Sequence, residues 1–167
     1  MSTRFARFTR RTGVGTAALL ATGALVAPSA VADEKPHCAV DARTGAETCF
    51  ATLPEALDAA KSGQGNGPRV MAGDVIQGTF FDDPQYGGSS LTVYGTAPCE
   101  KDGWVNYQYD LPDDWKNRIS SVQPWANCWL WLYPEPNLGG DRDGPFEENA
   151  PDIGAFMNDR TQSIGFS

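Results

Sequence analysis

The chain is predicted to be mainly β, with two similar supersecondary units sharing one core and a short hairpin and helix ahead of them. Three observations carry this. A phrase recurs about fifty residues apart, as Phe81-Asp82-Asp83-Pro84-Gln85-Tyr86-Gly87-Gly88 and as Tyr133-Pro134-Glu135-Pro136-Asn137-Leu138-Gly139-Gly140. Each copy has a later echo, Asn117-Arg118-Ile119-Ser120-Ser121-Val122 and Asp159-Arg160-Thr161-Gln162-Ser163-Ile164. Apolar residues between them recur with period two, the pattern of strands. A repeat of this kind means two like units that bury their faces together.

Residues 1–32 read as an export signal and lie outside the fold. Arg4, Arg7, Arg10 and Arg11 form a basic region, Thr16 to Val26 an apolar stretch, and Ala30-Val31-Ala32 a small-residue cleavage site. The stretch is too short for a bilayer, which takes about 20 apolar residues. A secreted protein is therefore expected, with no membrane association after cleavage. Arg10-Arg11 leaves general and twin-arginine export both open. Cleavage after Ala32 removes four of thirteen basic residues and none of the twenty-one acids, leaving a net charge of −12. So acidic a surface repels nucleic acid, which requires basic patches. It suits hard cations such as calcium, which take oxygen ligands.

Four cysteines remain, an even count that in an exported chain reads as a disulfide framework with three pairings open. The pattern favours Cys38–Cys49 and Cys99–Cys128. Cys38 and Cys49 are symmetric about Arg43-Thr44, so a hairpin turning there sets them opposite one another. Zinc is disfavoured: no C-x-x-C spacing occurs and His37 is the only histidine.

Residues 33–74 form the hairpin, helix and linker segment. Thr52-Leu53-Pro54-Glu55 is a capping box, and Leu53, Ala56, Leu57 and Ala60 follow at helical spacing. Ser62 to Pro68 breaks the helix and reads as a linker. Residues 75–167 are the strand-forming part. Val105, Tyr107, Tyr109 and Leu111 alternate with polar residues in a half-buried strand. Trp129, Trp131 and Tyr133 alternate with Cys128, Leu130 and Leu132, so that strand is central or presents a binding face.

The doubled phrase resembles the Greek-key motif of the βγ-crystallin superfamily, an aromatic-x4-aromatic-x-Gly hairpin followed later by a serine. The resemblance spans Val75 to Ser167 and implies a two-motif Greek-key β-sandwich. In that reading Phe81 and Tyr133 pack beneath folded hairpins whose tips carry Tyr86 and Leu138. Gly88 and Gly140 permit the fold-back, and Ser121 and Ser163 bond the exposed backbone. Leu138 departs from the aromatic of the pattern. About ten extra residues fall around Gly95 to Gly103 in the first unit. They include Cys99, which could staple the excursion to Cys128.

Microbial relatives often bind calcium through a loop written Asn/Asp-Asn/Asp-x-x-Ser/Thr-Ser. The loops here are Lys116 to Ser121 and Asn158 to Ser163. Lys116 cannot ligate, and Gln162 stands where a hydroxyl would bind. If sites combine both loops, as the resemblance implies, Ser120 with Asn158 keeps its oxygens and Gln162 with Lys116 loses them. Asn117, Ser120, Asn158 and Asp159 are the candidate metal ligands, for one weak calcium site. The bland alternative is that both loops are turns whose Asn and Asp cap backbone amides.

A catalytic role is not expected. One histidine and no free thiol leave little for a nucleophilic triad. The acidic pairs Asp82-Asp83, Asp113-Asp114 and Glu147-Glu148 lack a cleft that opposes two carboxyl groups. A monomeric structural or stress-related protein is the leading reading. Similar secreted bacterial proteins with an N-terminal cysteine hairpin are sometimes grouped with peptidase inhibitors or killer-toxin-like proteins, which implies an extracellular protease as partner. A third reading is binding of cell-wall glycan through Trp104, Trp115 or Trp125.

Overall fold

A computed structural model describes residues 36–62 and 74–167 of the 167-residue chain. Residues 1–32, read from the sequence as an export signal, and most of the linker lie outside the described residues. Nine strands, β1 (His37–Asp41), β2 (Glu47–Phe50), β3 (Val75–Asp83), β4 (Gly87–Gly95), β5 (Tyr107–Asp110), β6 (Ser121–Pro124), β7 (Leu130–Tyr133), β8 (Asp143–Phe146) and β9 (Ser163–Phe166), form two sheets with one helix, α1 (Leu53–Ser62). The first sheet runs β2-β1-β4-β3-β6 and the second β5-β9-β7-β8.

The two inner faces meet in one core. Phe80, Leu91, Val93 and Val122 of the first sheet bury against Leu130, Leu132, Ile164 and Phe166 of the second. Phe80 and Phe166 meet edge to face at 6.2 Å between centroids, the geometry that aromatic quadrupoles favour. The units exchange their third strands. β5, from the first unit, pairs with β9 of the second, while Ala150 of the second unit bridges Val122 of β6. That exchange makes the assembly a Greek-key sandwich, because neither unit can complete its own sheet.

The N-terminal hairpin turns as expected, with Cys38 opposite Cys49 and a bond between them; Cys99–Cys128 is the second disulfide. The hairpin also joins the first sheet, where β1 runs parallel to β4 from His37 beside Ser90 to Asp41 beside Tyr94. An open edge of β4 would offer unpaired backbone groups to other chains, and β1 covers it. α1 lies on the outer face of this sheet, with Ala60 packed with Ala39, Ile76 and Tyr94 and flanked by Leu57. Its cap differs in detail from the expected box. The Thr52 N–H donates to Glu55 Oε2 at 3.1 Å as anticipated, but the Thr52 hydroxyl donates to the same carboxylate. The Glu55 amide is not what that hydroxyl serves.

β7 is central, between β9 and β8. Its second apolar face is covered rather than presented. The first-unit excursion folds over it: Lys101 lies over the Trp129 ring at 5.8 Å, and Val105 packs so close to Gly165 that a Cβ there would meet it at 2.9 Å. Arg142 stacks on Trp131 at 3.8 Å. Of the tryptophans considered for glycan contact, Trp115 is a correction: it is 2% exposed and belongs to the core. Burial of so large an apolar ring outweighs any surface role. Trp104 stands 78% exposed and Trp125 36%.

Candidate functional site

The folded hairpins and crossed loops form one continuous arrangement. At the first hairpin, Gln85 and Tyr86 have φ of 58° and 60° and Gly88 has 76°; at the second, Asn137, Leu138 and Gly140 have 56°, 59° and 78°. This left-handed backbone turns each tip over its sheet. A Cβ at Gly88 would run into the Asp82 carboxylate, and one at Gly140 would lie 2.7 Å from Pro134 Cγ.

Each fold-back leaves backbone groups without a ladder partner, and a serine takes them up. Ser121 Oγ accepts from Tyr86 N–H at 3.1 Å and donates to Asp83 C=O at 2.8 Å. Ser163 Oγ accepts from Leu138 N–H at 3.0 Å and donates to Glu135 C=O at 2.6 Å. Phe81 is buried beneath the first tip, 5.6 Å from the Tyr86 ring, and Tyr133 is buried beneath the second. Leu138 keeps its place because the tip uses its backbone N–H, which a leucine supplies as well as an aromatic residue would.

The loops that follow are bonded to each other reciprocally. Asn117 N–H donates to Thr161 C=O at 2.8 Å, and Asp159 N–H donates to Ile119 C=O at 3.1 Å. Asn117 and Asp159 both take φ near 57°, a region that Asn and Asp tolerate better than other side-chain-bearing residues. Leu111 N–H caps Gln162 C=O and Ile153 N–H caps Ser120 C=O, completing the symmetry. Ser120 and Asn158 therefore flank one bridge, while Lys116 and Gln162 flank the other. The crossing brings the four candidate ligands into one pair of loops.

Their chemistry differs between the two ends. Ser120 is buried, and Asn158 Nδ2 donates to Asp159 Oδ2 at 2.8 Å, which leaves the Asn158 amide oxygen facing away from that bond. At the other end Lys116 Nζ pairs with Asp113 at 2.6 Å and holds its carboxyl below the usual range. Two arginines that the sequence pattern does not single out also brace the loops. Arg118 bonds Asp82 at 2.6 Å and Asp114 C=O at 2.6 Å and lies over Trp115; Arg160 bonds Phe156 C=O at 2.9 Å and lies over Phe156. Their matching places after Asn117 and Asp159 were the available signal. Arg118 is neutralised by Asp82, whereas no carboxylate among the described residues pairs with Arg160.

The Ser120–Asn158 end offers one hydroxyl, one amide and, with Asp159, one carboxylate, a set that fits a hard cation but carries little charge, whereas Asn117 stands at the other bridge. Among the described residues the sole cluster of three His, Cys, Asp or Glu ligand atoms is Cys38, Glu47 and Cys49. The two sulfurs there are bonded to each other, so neither offers a thiolate.

No protein-family model matches the chain, and no curated protein does. Among solved structures it is similar to a βγ-crystallin domain from Clostridium beijerinckii, at 18% identity and a TM-score of 0.42, over 54% of this chain and 95% of that one. A βγ-crystallin domain from Flavobacterium johnsoniae shares 21% identity at a TM-score of 0.41, over 54% of this chain and 92% of that one. The N-terminal domain of Protein S shares 20% at 0.42, over 55% and 94%. By its own geometry, two serine-locked hairpins and exchanged third strands, this chain has the two-motif Greek-key β-sandwich that its βγ-crystallin resemblance implies.

Proposed function

We propose that the chain is an exported, non-enzymatic Greek-key protein with a structural role, taking one weakly held calcium ion at the Ser120–Asn158 end of its crossed loops. The reciprocal bonding of the loops carries this reading, because it sets Ser120 and Asn158 beside the same bridge. Export is supported by the basic-apolar-small leader of the sequence and by two disulfides with no free cysteine among the described residues. No helix among the described residues is long and apolar enough to cross a membrane.

The weakness follows from charge. Asp159 is the one carboxylate in the set, and the Arg160 guanidinium stands in the same loop. Affinity falls with fewer charged ligands, so a dissociation constant of about 10⁻⁴–10⁻³ M is expected, the range of extracellular modules. Bound calcium should raise the melting temperature, since the crossed loops exist only in the folded state. Ser120→Ala should abolish that gain, and Gln162→Ala should leave it unchanged. Calorimetry with calcium on the purified mature protein tests this. No binding heat and no melting shift would reduce the loops to structural turns.

A further inference from the structure

The excursion of the first unit is anchored at both feet. Cys99 is bonded to Cys128, its N–H donates to Ala126 C=O at 3.1 Å, and Asn106 N–H donates to Phe166 C=O at 2.7 Å. Asn106 Oδ1 reaches back across the neck to Glu100 N–H at 3.1 Å. At the tip, Lys101 and Gly103 take φ of 59° and 82°, and Asp102 Oδ1 accepts from Trp104 N–H at 2.9 Å. All this fixes backbone around Trp104, yet the indole itself is 78% exposed. If the excursion served only to cover Trp129, its largest apolar ring would be spent inward.

Beside that ring lies a cleft of about 450 Å³ lined by Asp102, Gly103, Trp104, Val105 and Arg142. Arg142 comes from the second unit and is held by its stack on Trp131 at 3.8 Å. Stacking uses the face of a guanidinium and leaves its N–H edge for a ligand. In a chain of twenty-one acids and thirteen basic residues, Arg142 makes no ion pair with any carboxylate among the described residues. An unpaired, positioned guanidinium and a carboxylate thus flank one exposed indole.

We propose that this cleft is a binding site for a neutral pyranose unit of a glycan. The apolar C–H face of a pyranose would lie on Trp104, its hydroxyls would donate to the Asp102 carboxylate, and Arg142 would donate to its hydroxyl or ring oxygens. The alternatives fit less well. A protein interface concentrates apolar residues at its centre and depletes charge there; here one indole shares its cleft with exposed Asp102 and Arg142. A polyanion would meet the acidic surface. The volume lies at the lower end of about 300–1,000 Å³ for small-molecule sites. This site is separate from the crossed loops, so it stands whether or not calcium binds.

The test is titration of the purified, disulfide-intact mature protein with chitotetraose and with cellotetraose, read by tryptophan fluorescence and calorimetry. Binding in the millimolar range or tighter is expected for at least one. Trp104→Ala should weaken it by about tenfold or more, with the melting temperature unchanged because that side chain is exposed. Arg142→Lys keeps the charge and loses the planar donor edge, and should weaken binding while Trp125→Ala leaves it intact. Absence of binding to both sugars at about 10 mM would overturn the proposal. So would binding that Trp104→Ala leaves unchanged. Inhibition of a secreted protease that Trp104→Ala abolishes, with no sugar binding, would assign the loop to a protein partner instead.

Discussion

Ser121 and Ser163 each satisfy one donor and one acceptor that a folded hairpin strands. Replacing either by alanine leaves Tyr86 N–H and Asp83 C=O, or Leu138 N–H and Glu135 C=O, without partners. Each unpaired group costs about 1–3 kcal/mol when fully buried, and since these two are part-buried a loss in the lower part of their sum, about 2–4 kcal/mol, is expected for either variant by denaturant unfolding. An equal loss in both would confirm that the two units use the serine alike. A threonine, which keeps the hydroxyl, should recover part of it. Asp41 makes a second residue-scale case. Its buried carboxylate accepts from the Arg43 backbone N–H at 2.9 Å, from Nε at 2.8 Å and from Nη2 at 2.7 Å. The Arg43 side-chain hydrogen bonds hold its carboxyl below the usual range, against the opposing effect of burial. A depressed acid stabilises the fold above its unfolded value, near 3.9, and loses that contribution as pH falls through the folded value. Asp41→Asn should therefore cost about 1 kcal/mol at pH 7, the hydrogen-bond value reduced because Arg43 is partly exposed. The difference from the parent should narrow as the pH falls through the folded value, which lies below the unfolded one.

Among the elements, the excursion most alters what the second sheet can do. Without it, Trp129 at the start of β7 would lose the Lys101 cover and Gly165 of β9 its contact with Val105. Cys99–Cys128 closes a span of 29 residues, and loop-closure entropy makes such a bridge worth about 3–4 kcal/mol. The Cys99→Ala, Cys128→Ala pair should lower stability by that amount and shift tryptophan emission to the red as the cover loosens. Gly165 offers a sharper probe. It is neither at a turn nor at positive φ; it is small because Val105 presses on it. Gly165→Ala should displace Val105 and cost about 1–3 kcal/mol by overpacking. The repeat spacing and the cysteines showed that the first unit holds extra residues tied to Cys128, but not which face they cover. Their landing face is set by long-range contacts with β7 and β9, which leave no periodic mark in the excursion.

At the scale of the whole molecule, the parallel β1–β4 pairing joins the N-terminal hairpin to the first sheet. Removing residues 33–62 should leave the β4 edge and the outer faces of Ile76 and Tyr94 open, and light scattering should then show more self-association than residues 33–167 give. By itself the sequence determined the repeat, the two hairpins with their glycines and serines, the Cys38–Cys49 pairing and the predominance of strands. These are local: each rests on residues a turn or a hairpin apart, where backbone preference and period leave a readable trace. The crossed loops were legible in part, since their defects at Lys116 and Gln162 are visible as residues, whereas Arg118 and Arg160 acquire meaning only once the loops meet. The tertiary structure alone decided which strands are neighbours, that β5 and the Ala150 segment trade sheets, that Trp115 is core, and that Trp104 stands exposed beside Arg142. Alternation says that a strand has two faces but not which sheet or loop will cover each. That choice belongs to contacts between residues far apart in sequence, and burial of the shared core makes it.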